Sequence, residues 1–241
     1  MTKAAKFEEF HLDKELKLYE ALEEILREIG DVALYGFVGP YNSGKDSVMA
    51  WLQIHRPDLF HRVVGDTNRK KGKDDDDKEG ETHHFRTTPE MKDDLLNRRF
   101  LQVAPSGHSS IFYATRPQQY RSGKINMKAI YAREMASFRK LGFKEVKWLQ
   151  IVPPSDEIWQ SWQDPGDHRA ADSTKRDEEA IQSMVLALSS KDTIYIKNNT
   201  IEHAGEQVVR IARGWQPLDQ MVNKKLLVNN LEALKKRLGI I

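Results

Sequence analysis

A short glycine-rich segment between an apolar run and a helical pattern constrains the fold of this chain more than any other feature. The apolar run is Val32–Val38, and the helical pattern includes Val48 and Leu52. Strand, glycine-rich turn, lysine and helix in this order are the layout of a phosphate-binding loop, where backbone N–H groups and the helix N-terminus face phosphate oxygens. The alternative is a strand–helix turn that binds nothing. The phosphate-binding interpretation assigns the loop to Gly39, Pro40, Tyr41, Asn42, Ser43, Gly44, Lys45, Asp46 and Ser47.

The lysine and the two residues after it would interact with phosphate and metal. Lys45 supplies a positive charge for the β- and γ-phosphates of a nucleotide. The motif expects Ser or Thr next, because that hydroxyl normally holds Mg²⁺, but Asp46 stands there. Three interpretations are open: Asp46 ligates Mg²⁺ itself, Ser47 takes that role, or the site is impaired.

The composition is that of a soluble globular protein. The 241 residues suffice for one large α/β domain or two small ones, with 39% hydrophobic and 31% charged residues. The 38 basic and 36 acidic residues nearly cancel, so charge gives no argument for a nucleic-acid partner. Without cysteine, disulfides and cysteine-ligated zinc are excluded. Neither a signal-peptide pattern nor an apolar run of about 20 residues is found, so we expect a cytoplasmic protein without a membrane partner.

The periodicity of the remaining sequence predicts alternating strands and helices. This order predicts an α/β fold with a P-loop NTPase-type parallel sheet flanked by helices and the phosphate loop at its carboxyl edge. Amphipathic helices are predicted at 13–29, capped by Asp13, and at 218–238. Such helices can bind a partner or pack on their own domain, and the two together can pack on each other or form a homodimer.

A polar segment at 65–81 places a basic cluster, Arg69–Lys73, beside the four acids Asp74–Asp77. Adjacent blocks of opposite charge are typical of a solvated loop. Part of the basic cluster could instead meet a phosphate, which the planar fork of arginine binds with paired hydrogen bonds. Four consecutive acids lack the spacing of a calcium loop, so we interpret them as a surface feature.

Several stretches resemble, in order, segments of the guanylate kinase family from about Val32 to Gly214. They are Gly39–Lys45, Thr67–Arg69 with Gly80 and His83–Phe85, Phe100–Gln102 with Tyr113–Thr115, Val146–Ser155, Arg169–Ser173 and Tyr195–Asn199. The resemblance implies a guanylate-kinase-like domain at 31–214, with a small β-rich acceptor subdomain at about 65–123 and a helical lid at about 163–180. An N-terminal helix at 1–30 and a C-terminal helix at 215–241 would flank it.

The resemblance also implies roles for single residues, with ATP as phosphoryl donor and Mg²⁺ as cofactor. Lys45 would contact the ATP phosphates, and Arg169 and Arg176 would act from the lid on the transferring group. Asn198 or Asn199 would lie by the adenine. The implied acceptor-binding residues are Arg69 and Tyr113 for the phosphate, His83 at a tyrosine position, and Gln102 and Thr115 for the base.

The chain departs from the family pattern at several of these positions. Gln102 replaces a glutamate that accepts hydrogen bonds from guanine, and an amide offers only one acceptor oxygen beside a donor group, so an altered base preference is expected. Gly65 and Gly72 stand where the family has a phosphate-binding serine and a second arginine, although Lys70, Lys71 or Lys73 could substitute. Ala129 and Tyr131 replace two aspartates, and the helix near Gln182 and Ser183 lacks an arginine.

Two functions from different classes follow. The first is ATP-dependent phosphoryl transfer to a nucleoside monophosphate, because positioning and charge neutralisation are what this reaction needs most. The alternative is a non-catalytic guanylate-kinase-like module that binds a nucleotide or a protein. A different small-molecule kinase or a nucleotide sensor on the same core is a third possibility.

Overall fold

The computed structural model describes residues 16, 19–71, 78–106, 111–162 and 173–240. Helices and strands alternate through most of this range. In chain order they are α1 (Glu23–Arg27), β1 (Ala33–Val38), α2 (Lys45–His55), β2 (Phe60–Arg62), β3 (Asp66–Thr67), β4 (His84–Phe85), α3 (Thr88–Leu96), β5 (Gln102–Pro105), β6 (Phe112–Thr115), β7 (Ile125–Ala129), α4 (Met135–Arg139), β8 (Glu145–Val152), α5 (Asp156–Ser161), α6 (Ser173–Ser189), β9 (Thr193–Lys197), α7 (Ile201–Ala212) and α8 (Gln220–Arg237).

The chain divides into two compact units. The smaller unit comprises Met1–Asp31 and Val63–Tyr120, and the larger comprises Val32–Arg62 and Arg121–Ile241. Each has its own sheet and its own cluster of buried apolar side chains. The phosphate-loop segment belongs to the larger unit.

The larger unit is built on a five-stranded sheet in the order β2-β7-β1-β8-β9, with all neighbouring strands parallel. Side chains alternate across this sheet, and helices cover both faces. Tyr35 and Phe37 of β1 pack with apolar residues of α2 and α7 on one face. Val152 of β8 and Tyr195 of β9 belong to a second cluster with α5, α6 and α8. The predicted α/β fold with a parallel sheet flanked by helices is confirmed.

The smaller unit contains a four-stranded sheet in the order β4-β3-β6-β5. Strands β5 and β6 form an antiparallel hairpin. Helix α3 begins with a capping box: the Thr87 hydroxyl accepts a hydrogen bond from the N–H of Glu90, whose carboxylate accepts from the Thr87 N–H. Met91 and Leu95 of α3 pack with Phe112 of β6, so one face of the sheet is buried.

The expected continuous helix at 13–29 differs from the structure. Tyr19–Leu22 are not helical, and α1 comprises only Glu23–Arg27. Asp13, the predicted cap, lies outside the described residues. The hydroxyl of Tyr19 donates to the carbonyl of Phe100 at 2.5 Å and accepts from its N–H at 3.0 Å. These long-range bonds involve a residue that the apolar spacing assigned to the helix, and local periodicity cannot foresee them.

The C-terminal helix predicted at 218–238 is present as α8, and its apolar stripe packs within the larger unit. None of the helices in the described part of the chain combines the length and apolar character needed to cross a bilayer.

Candidate active site

The predicted phosphate loop connects β1 to α2, and helix α2 begins at Lys45. The backbone of the loop is tightly curled, because Asn42 and Gly44 have φ angles of 53° and 90° and Gly39 has 143°. A Cβ atom on Gly44 would collide with Nδ2 of Asn198, and one on Gly39 would lie 2.8 Å from the carbonyl oxygen of Ile151. Only glycine combines these angles with such close approaches.

The side chain of Lys45 folds back over the loop. Its ammonium group donates to the carbonyl oxygens of Gly39 at 2.9 Å and Pro40 at 2.7 Å. Although the residue as a whole is partly exposed, this group is enclosed, and burial lowers the pKa of Lys45 to about 8 while the charges of Asp46 and Glu179 act in the opposite direction. A phosphate anion at the loop would favour the protonated ammonium.

Asn198 follows β9, the edge strand two positions from β1 in the sheet, and it holds the loop. Its Nδ2 donates to the carbonyl of Ser43 at 2.9 Å, and its side chain is buried. Asn199 is exposed. The hydroxyl of Ser43 is fully buried and has no hydrogen-bond partner within the described residues. An unsatisfied buried hydroxyl in a curled, glycine-rich loop suits a site that takes a polar ligand.

Asp46 and Ser47 are both exposed in the first turn of α2. One guanidinium nitrogen of Arg62 donates to the carboxylate of Asp46 at 2.7 Å. Within the described residues no group of three His, Cys, Asp or Glu side chains could hold a metal. Mg²⁺ often binds through one or two protein oxygens together with substrate phosphates and waters, so the oxygen donors of Asp46 and Ser47 fit it.

Of the two predicted catalytic arginines, the structure describes only one. Arg169 lies outside the described residues. Arg176 lies in α6, and its guanidinium carbon is 5.7 Å from the ring centroid of Tyr41 in the phosphate loop. The hydroxyl of Tyr41 donates to the carboxylate of Asp177 at 2.8 Å, so the start of α6 contacts the loop directly.

Three of the predicted acceptor-binding residues, Gln102, Tyr113 and Thr115, lie on one face of the sheet in the smaller unit. In the register of the hairpin, Gln102 pairs with Thr115 and Ala104 with Tyr113. Residues two apart on a strand share a face, so Thr115, Tyr113 and Gln102 lie on the face opposite the buried Phe112. Gln102 and Thr115 are buried, and Nε2 of Gln102 donates to the carbonyl of Val103 at 2.9 Å.

Arg69 and His83 lie together near Tyr113. The Arg69 guanidinium is 3.5 Å from Nδ1 of His83 and its carbon is 5.0 Å from the ring centroid of Phe85. The rings of His83 and Tyr113 have centroids 5.4 Å apart. The structure therefore gathers a guanidinium, an imidazole and a phenol, three groups that can each donate a hydrogen bond to a phosphate oxygen.

Sequence reasoning missed an ionisable cluster near the carboxyl end of β7. Glu134 is enclosed, and burial raises its pKa to about 7, with Glu179 acting in the same direction and Lys128 and Arg133 opposing it. Arg133 donates to Glu179 at 3.2 Å. The only signal in the sequence is an acid within the apolar pattern after β7, which by itself indicates nothing about burial.

The interactions of the smaller unit include another group that sequence reasoning missed. Arg116 donates to the buried carboxylates of Asp66, at 2.7 Å, and Asp94. Its guanidinium carbon lies 4.7 Å from the ring centroid of Phe100. Gln119 and Arg99 supply further donors to the two acids, each at 2.8 Å. This network links β3, α3 and the segment after β6.

Comparison with known proteins tests the family resemblance. The guanylate kinase family model matches residues 33–213. Guanylate kinase from Anaplasma phagocytophilum has a similar solved structure, with a TM-score of 0.54 and 18% sequence identity over 87% of this chain and 96% of that chain. At this identity the likeness shows the fold. Comparison with curated protein sequences returned no match. Because the family match spans well over half of the 241 residues, the chain belongs to the guanylate kinase family.

Proposed function

We propose that this protein transfers the γ-phosphoryl group of ATP to a nucleoside monophosphate, with Mg²⁺ as cofactor. The observation that carries the proposal is the loop between β1 and α2. Its glycines approach neighbouring atoms too closely for any side chain, and its lysine ammonium lies over the loop carbonyls. Such a loop at a helix N-terminus suits a polyphosphate.

The acceptor would bind to the smaller unit. Arg69, His83 and Tyr113 form a group of donors that suits a monophosphate, and Gln102 with Thr115 supply polar groups that suit the edge of a base. Nε2 of Gln102 is already engaged by the carbonyl of Val103. An amide offers one acceptor oxygen to the two N–H groups of guanine, so we propose that the base preference differs from guanine.

Phosphoryl transfer depends on charge neutralisation and alignment rather than on a covalent intermediate. Lys45 would neutralise the donor phosphates, and Arg176 with Arg169 would act on the transferring group. Asp46 or Ser47 would be the protein ligands of Mg²⁺, which would supply positive charge that offsets the charge of the phosphates. For Asp46 to do so, its ion pair with Arg62 would have to open.

The test is an ADP-formation assay with ATP, Mg²⁺ and each ribo- and deoxyribonucleoside monophosphate in turn. We expect turnover with at least one acceptor. Lys45→Met should reduce turnover by about 10²-fold or more, since it removes a charge that stabilises the transferring group. Lys140→Met, which removes an exposed lysine of the same unit, is the matched control. Folded protein without turnover on any acceptor would contradict the proposal.

A non-catalytic binding module is the second candidate. The observation that favours it is Asp46, which replaces the expected hydroxyl residue and pairs with Arg62. Calorimetric titration of ATP with and without Mg²⁺ separates the candidates. ATP binding without turnover would favour a nucleotide-binding module, whereas no ATP binding would favour a protein-binding one.

A further inference from the structure

Helix α8 lies beyond the last residue of the family match and packs beside the phosphate loop. Leu227, Leu231 and Leu234 of this helix are buried in one cluster with Trp159 of α5. Tyr41 of the phosphate loop packs against the same cluster. The C-terminal helix therefore shares a core with the loop.

Polar side chains of α8 fix its register on the sheet. Gln220 accepts from the N–H of Tyr195 at 2.8 Å and donates to its carbonyl at 2.9 Å, so it replaces a neighbouring strand at the edge strand β9. Asn223 donates to the same carbonyl at 3.0 Å, and Asn230 donates to the carbonyl of Pro153 at 3.0 Å. The bonds to Tyr195 satisfy backbone groups at the edge of the sheet, and the bond from Asn230 satisfies a carbonyl just beyond β8.

The last turn of α8 contacts the first turn of α5 through an ion pair. One guanidinium nitrogen of Arg237 lies 3.1 Å and 2.9 Å from the two carboxylate oxygens of Asp156. The Asp156 side chain is only 11% exposed, so the pair is shielded from solvent more than a surface salt bridge. The guanidinium carbon also lies 6.0 Å from the ring centroid of Trp159.

Trp159, which lies beside this ion pair, is hydrogen-bonded to the backbone of the phosphate loop. Its indole N–H donates to the carbonyl of Tyr41 at 2.8 Å, and the two rings have centroids 5.5 Å apart. The Tyr41 hydroxyl donates to Asp177 of α6 at 2.8 Å. Tyr41 is thus held at its backbone by α5 and at its side chain by α6.

We infer that Arg237 and Trp159 are positioning residues for the phosphate loop, and that α8 is required for full nucleotide affinity. The inference rests on the proposed nucleotide site. The loop contains a non-glycine residue, Asn42, at positive φ, a less common conformation that surrounding contacts help to hold. A loop fixed before the ligand arrives binds more tightly, because less conformational freedom is lost on binding.

The experiment compares Arg237→Met with Lys236→Met, its exposed neighbour on the same helix. The first readout is hydrogen exchange of peptides covering 39–49 without any nucleotide. We expect exchange in Arg237→Met to be about five- to tenfold faster, as for the loss of one or two hydrogen bonds, with no change in peptides of the smaller unit. Lys236→Met should match the wild type.

The second readout is the ATP dissociation constant, with the KM for ATP and for the acceptor. We expect Arg237→Met to weaken ATP binding about three- to tenfold and raise the KM for ATP, with the KM for the acceptor unchanged. If Arg237 contributed only to overall stability, the variant would have a lower melting temperature, and its KM for ATP would not rise relative to its KM for the acceptor.

A second variant keeps the test decisive if Arg237→Met does not fold. Trp159→Phe removes the indole donor and retains an aromatic ring, and it should accelerate exchange at 39–49 in the same way. Unchanged exchange in the folded variants would overturn the inference. If the wild type binds no ATP, the proposed function fails, while the exchange readout still decides whether α8 positions the loop.

Discussion

Gly44 is the residue at which one added carbon would disturb the candidate site most directly. Its φ angle is 90°, and a Cβ there would collide with Nδ2 of Asn198, the group that holds the carbonyl of Ser43. Two costs therefore coincide, backbone strain and steric overlap. The sequence motif predicts a glycine here, but only the fold identifies the atom that excludes a side chain.

The variant Gly44→Ala tests both costs. We expect it to lose about 2–3 kcal/mol of unfolding free energy, since strain at positive φ and displacement of Asn198 add. Gly123→Ala is the matched control, because Gly123 has a φ of 74° and a Cβ added there would meet no atom within 4 Å, and it should cost about 1 kcal/mol. Chemical denaturation measures both, and equal losses would contradict the steric argument.

Glu134 makes stability depend on pH. Its pKa in the folded state, about 7, lies above the ordinary value of 4.5, mainly because of burial. The folded protein therefore binds this proton more tightly than the unfolded chain, and the associated stability, full below about pH 4.5, is lost as the pH rises through 7. Glu179 adds to the shift, and Lys128 and Arg133 oppose it.

Urea denaturation of the wild type and Glu134→Gln at pH 5 and pH 8 measures this contribution. The unfolding free energy of Glu134→Gln minus that of the wild type should increase by on the order of 2 kcal/mol from pH 5 to pH 8. A difference that stays constant across this range would show that Glu134 titrates normally in the folded protein.

Among the elements, the sheet of the smaller unit shows how much side-chain alternation determines. Phe112 and Ala114 of β6 face the core, and Tyr113 and Thr115 therefore lie on the other face. Strands β5 and β6 pair antiparallel, and their register brings Gln102 opposite Thr115. Sequence did not indicate the charged network on the buried side, because its members are far apart in the chain.

This network predicts a large stability loss at one arginine and a small one at its neighbour. Arg116→Met would remove the guanidinium that donates to both Asp66 and Asp94. The side chains of these acids are only 2% and 8% exposed. Removing one partner of a buried ion pair costs about 3–5 kcal/mol. Arg99→Met should cost less than about 1 kcal/mol, since its side chain is 53% exposed and Arg116 remains. Thermal and urea unfolding measure both, and similar losses would contradict the prediction.

At the scale of the whole molecule, the two units contain different candidate site residues. The phosphate loop, Lys45 and Arg176 belong to the larger unit, whereas Arg69 and Gln102 belong to the smaller one. A ligand protects the part of the protein that it contacts from local opening, so each substrate should leave a separate pattern of hydrogen-exchange protection.

ATP alone should protect peptides covering 36–49 and 193–199, and an acceptor monophosphate alone should protect 66–71 and 112–116. Near-saturating ligand should slow exchange there about tenfold or more. Inorganic phosphate at equal concentration serves as the control for unspecific anion binding. Protection of the smaller unit by ATP without any change at 36–49 would contradict the assignment of the donor site.

The sequence by itself determined the features that depend on local rules. The glycine spacing and the lysine predict a curled turn between a strand and a helix, because backbone curvature and helix entry depend on neighbouring residues, and such a turn connects β1 to α2. The alternation of apolar runs and helical patterns predicted the parallel sheet, and the order of the motifs indicated the family, which the family match confirmed.

Only the tertiary structure decided which distant side chains meet. It interrupts the expected helix at 13–29, with the hydroxyl of Tyr19 bonded to the backbone of Phe100, and it pairs Asp46 with Arg62. It also encloses Glu134 and joins α8 to the loop through Trp159. These contacts span up to 118 residues of sequence, and they form only after strands and helices have packed, so no local pattern of residues encodes them.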